Sequence, residues 1–87
     1  MSIEVKNKRA WYLNKLNLIT EEFTVIIKHK KHSLMFKEEA TELVRIINQA
    51  KFINDMSHKD QEKIVVFYRN KLDALKHRID KELSNNL

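Results

Sequence analysis

Glycine, proline and cysteine are all absent from this 87-residue chain. Ordinary usage would place about six glycines and about four prolines in a chain of that length. Their absence removes whole classes of function. There is no glycine-rich loop to cradle a phosphate, no dinucleotide-binding fingerprint and no tight primed hairpin turn. Without a thiol there is no disulfide framework, no zinc finger and no thiol nucleophile. Long hydrophobic runs are missing too. The longest, Ile64-Val65-Val66-Phe67-Tyr68, falls far short of the roughly 18 residues that a membrane-spanning helix needs.

What remains is charge and periodicity. Hydrophobic residues make up 43% and charged residues 33%, too apolar for a disordered chain. That charge load without helix breakers suits long amphipathic helices. The length indicates one domain, in which roughly 60–70% of the unfolded surface can be buried, with little volume left for a deep substrate cavity. The net charge of +5 is uneven: residues 1–32 carry a surplus of +4, residues 33–57 a deficit of −1 and residues 58–87 a surplus of +2. A basic surplus attracts nucleic acid, anionic lipid or an acidic protein, yet acids occur in every segment and no long basic run marks a nucleic-acid arm. Asn14, Lys15 and Asn17 interrupt any signal-peptide core. Zero cysteines agree with a reducing compartment. The chain reads as cytoplasmic, with no membrane insertion.

Apolar spacing and capping residues set the element boundaries. Ser2 caps a first helix over about 3–31, with Glu4 near the positive end of its dipole. Tyr12, Leu16, Ile19, Phe23 and Ile26 recur at spacings of 4, 3, 4 and 3 and form one inward stripe. Thr20-Glu21-Glu22 is a candidate kink. Ser33 caps a second helix over about 34–54, whose stripe is Phe36, Ala40, Leu43, Ile47 and Ala50. Ser57-His58-Lys59-Asp60 resembles a capping box. It opens a third helix over about 58–84, with Val65, Tyr68, Leu72, Leu75, Ile79 and Leu83 inward and Lys76/Asp80 and Arg78/Glu82 as exposed pairs. The chain ends in Asn85-Asn86-Leu87, which should fray. The predicted fold is all-α, a single-domain antiparallel bundle of three long amphipathic helices over residues 1–87.

Helix one carries an anomaly. Trp11, Leu18 and Val25 repeat every seven residues, about 120° away from the core stripe at 100° per residue. A solvated helix needs only one apolar face, so this second stripe requires a neighbour. Either helix one is central, touching helix two on one side and helix three on the other, or the stripe is a self-association or partner surface. Phe67 lies off the stripe of helix three, as does Ala74, and either stands alone in solvent or extends that surface as an aromatic anchor.

The densest basic cluster is Lys28, Lys30 and Lys31 with His29 and His32. It complements the helix dipole or contacts phosphate or an acidic partner. The two histidines are close enough to share a metal, but no nearby carboxylate or cysteine completes a ligand set. Lys6, Lys8 and Arg9 beside Trp11 and Tyr12 form a mixture able to stack bases and neutralise phosphates, or an ordinary solvated turn with buried rings. His58/Glu62 and Asp73/His77 read as exposed pairs, since the inward Glu-x-x-His motifs of di-iron bundles are missing. No activated nucleophile appears, and the carboxylates of Glu21/Glu22 and of Glu38/Glu39 diverge on a helix.

The chain size, the missing residue types and the opening Lys8-Arg9-Ala10-Trp11-Tyr12-Leu13-Asn14-Lys15-Leu16 resemble the cytosolic lysis-inhibition accessory proteins of T-even bacteriophages. The helical bacteriocin-immunity proteins are a second, looser likeness. The first resemblance implies a non-enzymatic regulator that binds the cytoplasmic part of a holin and delays lysis. The residues themselves point to a non-enzymatic protein without cofactor or metal. It is expected to bind another protein, or a second copy as a homodimer, through Trp11, Leu18, Val25 and Phe67. The main rival is a nucleic-acid-binding module using Lys28, Lys30 and Lys31 with the basic first turn.

Overall fold

The computed structural model describes residues 2–53 and 55–85, with side chains from residue 9 onward. Three helices follow one another: α1 (Ser2–Lys28), α2 (Leu34–Ala50) and α3 (His58–Asn85). No strand occurs among the described residues. At 1.5 Å per residue α1 and α3 are about 40 Å long and α2 about 25 Å, and the molecule is a rod of 55 × 18 × 15 Å.

Side-chain pairings set the direction of each helix. Arg9 and Tyr12 near the start of α1 reach carbonyls at the end of α2, so these helices are antiparallel. Glu39 early in α2 meets Arg78 late in α3, which makes that pair antiparallel as well. Trp11 lies beside His58 and Glu22 beside Lys76, so α1 and α3 run parallel. The result is an up-down-up bundle. Both other helices pack extensively on α1 and only sparsely on each other, which makes α1 the shared wall of the core.

The core follows the predicted stripes. Tyr12, Leu16, Ile19, Phe23 and Ile26 from α1 are buried against Phe36, Ala40, Ile47 and Ala50 of α2 and Val65, Leu72, Leu75 and Ile79 of α3. Leu43 and Tyr68 are only partly buried at its edge. Leu83, expected inward, is 47% exposed at the rim of the recess between the α1–α2 turn and the end of α3. Thr20-Glu21-Glu22 does not break α1. The Thr20 hydroxyl donates to Leu16 O and that of Thr24 to Thr20 O, both at 2.8 Å, so these side chains bond within the helix.

The helix ends depart from expectation in instructive ways. α1 stops at Lys28 rather than near 31. His29 N–H instead bonds Ile26 O at 3.3 Å, and Lys31 N–H bonds His29 Nδ1 at 3.2 Å, which folds the chain into the connecting turn. Ser33 occupies the N-cap of α2 in an extended conformation, yet its hydroxyl makes no capping bond and is buried without a partner among the described residues. α2 ends at Ala50, short of 54. No described residue has positive φ, so the left-handed glycine exit is not used. The chain leaves through Phe52 N–H to Gln49 O (3.1 Å) and Ile53 N–H to Ala50 O (3.3 Å).

The carbonyls left at that end are met from α1. Arg9 donates to Lys51 O at 2.6 Å and Ile53 O at 2.9 Å, and the buried Tyr12 hydroxyl donates to Ala50 O at 3.1 Å. At the start of α3, Asp60 N–H bonds Ser57 Oγ at 3.1 Å, the cap read from the sequence. The expected Lys76/Asp80 and Arg78/Glu82 pairs are replaced by links between helices. Lys76 Nζ lies 2.5 Å from Glu22, while Arg78 donates to both Glu39 oxygens at 2.9 and 2.8 Å and stacks over Phe36 at 5.5 Å. Long cations at the edge of a bundle reach the neighbouring helix as easily as their own next turn. Such exposed pairs are worth about 0–1 kcal/mol each, so they set register more than stability. The Ser2 cap, Glu4, Lys6 and Lys8 fall outside the described side chains, and Asn54, Asn86 and Leu87 outside the described residues.

Two substitutions separate core volume from the α1–α2 clamp. Phe23→Ala should cost about 3–5 kcal/mol of unfolding free energy through the cavity it leaves. Tyr12→Phe removes only a hydroxyl and should cost about 1 kcal/mol. Urea denaturation followed by circular dichroism measures both, and equal losses would contradict this division.

Candidate partner-binding surface

The second stripe of α1 divides along its length. Trp11 is partly buried, because the first turn of α3 lies over it: its ring meets that of His58 edge-on at 5.4 Å and 62°. Leu18 and Val25, farther along the same line, are 53% and 65% exposed. A helix packed on the core line does not reach a line about 120° away. α1 is therefore central, and its second stripe is still half in solvent.

On α3, Val65 and Tyr68 face the core, so the two residues between them point outward. Phe67 is 53% exposed and Val66 56%. Phe67 meets Tyr68 edge-on at 5.1 Å, and the Lys71 ammonium sits 5.3 Å over its ring. A shallow depression of about 490 Å³ on this helix is lined by Lys59, Glu62, Lys63, Val66, Phe67 and Asn70. Sequence reasoning picked Phe67 and passed over Val66, although adjacency to Phe67 between two inward positions was the available signal. Leu34 and Met35 beside the first turn, and Phe52 and Ile53 beside the second, are also exposed.

The recesses elsewhere differ in character. A cavity of about 40 Å³ lies between the first turn and the end of α3, among Lys31, His32, Ser33, Phe36, Ile79, Glu82 and Leu83. An open cleft of about 380 Å³ between α2 and α3 is lined by Glu39, Glu42, Leu43, Lys71, Ala74 and Arg78. Glu42 pairs with Arg45 three residues on, and that hydrogen bond holds its carboxyl below the ordinary carboxylate range.

The basic cluster is arranged differently from a helix face. Lys28 ends α1, whereas Lys30 and Lys31 lie in the turn beyond it, and all three are exposed. His29 and His32 stack at 4.0 Å and 18°. Among the described residues no group of three or more histidines or acids is placed to hold a metal. The basic-aromatic mixture at the start of α1 does not form a stacking platform in its described part: Arg9 is engaged with α2 carbonyls and Tyr12 is buried. Of the helix-three pairs, His58 Nε2 meets Glu62 at 2.9 Å. Asp73 and His77 are both exposed and make no ion pair among the described residues. Gln61 is buried beside His58, one turn before Val65 on the same stripe, and polarity hid it from a pattern search for apolar residues.

The fold and this surface define a small helical bundle with surplus apolar side chains in solvent. No protein-family model, no curated protein and no solved structure matches the chain. No helix among the described residues is long and apolar enough to cross a membrane.

His32 makes the first turn pH-sensitive. Burial, then the neighbouring His29 and Lys37, push its pKa below the ordinary 6.5. The unfolded chain therefore takes up this proton first as pH falls. The contribution to stability is whole above pH 6.5 and declines below it, through the lowered folded value. The urea midpoint should drop between pH 7 and pH 5, and His32→Asn should flatten that decline; an unchanged slope in the variant would remove His32 as its source.

Proposed function

We propose that this protein is a non-enzymatic regulator that acts by binding another protein through the exposed apolar residues of α1 and α3. The observation that carries this reading is the surplus itself. The core closes without Leu18, Val25, Val66 or Phe67, yet all four stand more than half in solvent. Apolar positions beyond those a monomer can cover mark interaction surfaces, and an aromatic among them is the usual energetic anchor. Trp11 supports the surface from behind, holding the start of α3 against α1. The resemblance of its opening segment to phage lysis-inhibition proteins supplies one concrete partner, the cytoplasmic part of a holin, with the cytoplasm as the place of action. A homodimer through the same residues is the symmetric form of this reading.

A nucleic-acid-binding reading rests on the exposed Lys28, Lys30 and Lys31. It requires affinity that falls steeply with salt, which an electrophoretic shift series on duplex DNA measures.

Affinity capture from the native host, with the full chain as bait, tests the proposal. Leu18→Ser/Val25→Ser and Phe67→Ser should each change stability by less than about 1 kcal/mol, since each removes exposed side chains. At least one should lose a protein that the unaltered chain retains. Equal recovery of the same protein by every form would sink the reading.

A further inference from the structure

The start of α3 is held to the bundle differently from the rest of that helix. Seven consecutive residues, Ser57-His58-Lys59-Asp60-Gln61-Glu62-Lys63, carry no apolar side chain. The apolar anchors begin at Ile64 and Val65 and continue through Leu72, Leu75 and Ile79. The polar links that tie α3 to its neighbours also come late: among the described residues they are Lys76 to Glu22 and Arg78 to Glu39. The bonds of the first turn stay within it. Asp60 N–H donates to Ser57 Oγ at 3.1 Å, Gln61 N–H to Ser57 O at 3.0 Å, and His58 Nε2 meets Glu62 at 2.9 Å. They shape the turn without fastening it to α1.

What these turns bury is polar. Gln61 takes a core position, 5% exposed, and its Oε1 is buried without a partner among the described residues, as is Nδ1 of His58. One buried acceptor left unpaired favours any state that returns it to water by roughly tenfold or more. Against that cost stands the contact with Trp11, whose ring meets His58 edge-on at 5.4 Å. Two turns of helix without an apolar anchor have little stability of their own. Proteins open in such units, weakest where buried apolar contacts are fewest.

We propose that residues 58–63 are a detachable cover over Trp11, which opens at Ile64 while the rest of the bundle stays packed. Opening rehydrates Gln61 and His58. It also brings Trp11 into solvent on the same line as Leu18 and Val25, which are exposed already. α1 then presents three apolar residues over two heptads in place of two over one. The cover therefore gates how much of its second stripe α1 displays. That regulatory meaning rests on the protein-binding reading above. The opening itself is a property of the free chain and is tested without a partner, so its failure leaves that reading intact.

Amide hydrogen exchange of the full chain at rising sub-denaturing urea tests the proposal. The amides of residues 62–64 bond carbonyls of the first turn of α3. They should exchange through an opening that depends weakly on urea, ahead of the strongly urea-dependent exchange at residues 72–79. Gln61→Met keeps the shape of the side chain and removes the unpaired oxygen, so it should slow exchange at 62–64 about tenfold. Trp11→Ala removes what the cover rests on and should speed it about tenfold. Trp11→Phe should speed it less, and it replaces the alanine variant if that one does not fold. Equal protection and equal urea dependence at 62–64 and 72–79 would mean that no separate unit exists, and overturn the proposal. A Gln61→Met chain that exchanges at the same rate, exchanges faster or does not fold also overturns it, because the amide is then satisfied where it lies. So does indifference of 62–64 to the Trp11 variants, since the turn then frays without uncovering the ring.

Discussion

The junction where the start of α1 closes the end of α2 constrains the rest of the molecule. A helix end exposes carbonyls that need donors; the backbone beyond α2 meets those of Ile47, Gln49 and Ala50 without a left-handed residue and leaves those of Lys51 and Ile53 open. Arg9 supplies their donors from another helix, and Tyr12 adds a second donor to Ala50. Tyr12 is also wholly buried in the core, so the same residue that closes α2 anchors α1. Sliding either helix by one turn would separate the donors from their carbonyls and the stripe from its partners together. Antiparallel pairing and register thus depend on one junction.

Because α1 is pinned to α2 in this way, α3 finds its place against what remains of α1. It packs there through Val65, Leu72, Leu75 and Ile79 and meets α2 sparsely. The cleft of about 380 Å³ between α2 and α3 is one consequence, bridged near its end by Arg78 and Glu39. A second is the fate of the Trp11–Leu18–Val25 line. The first turn of α3 covers only its beginning, so one heptad repeat yields a partly buried tryptophan and two solvent-facing aliphatics. The same geometry turns Val66 and Phe67 away from the core, since any two residues between inward positions i and i+3 must face out.

Much of the fold was legible because burial in a bundle is periodic. Every predicted inward residue of α1 is buried, as are those of α2 apart from the partly covered Leu43. The failures come from interactions without a periodic trace. Leu83 obeys the period but sits at the open end of the bundle, beside the first turn and half in solvent. Lys76 and Arg78 have acids one turn away and choose acids on other helices. Ser33 occupies the cap position without making the capping bond. On the candidate surface, Phe67 stood out as an off-stripe aromatic, whereas Val66 looked like part of an ordinary apolar run. Trp11 could not be told from Leu18 or Val25 by spacing, since all three share one heptad position.

Sequence alone determined three helices, their inward faces and the surplus of apolar residues on α1, since these follow from local propensity and from a repeat that one helix imposes on itself. Tertiary structure decided which surplus residues stay in solvent, which cations remain unpaired and how a glycine-free helix end is closed. Each of these depends on where another helix begins, stops or reaches, and no single segment contains that information.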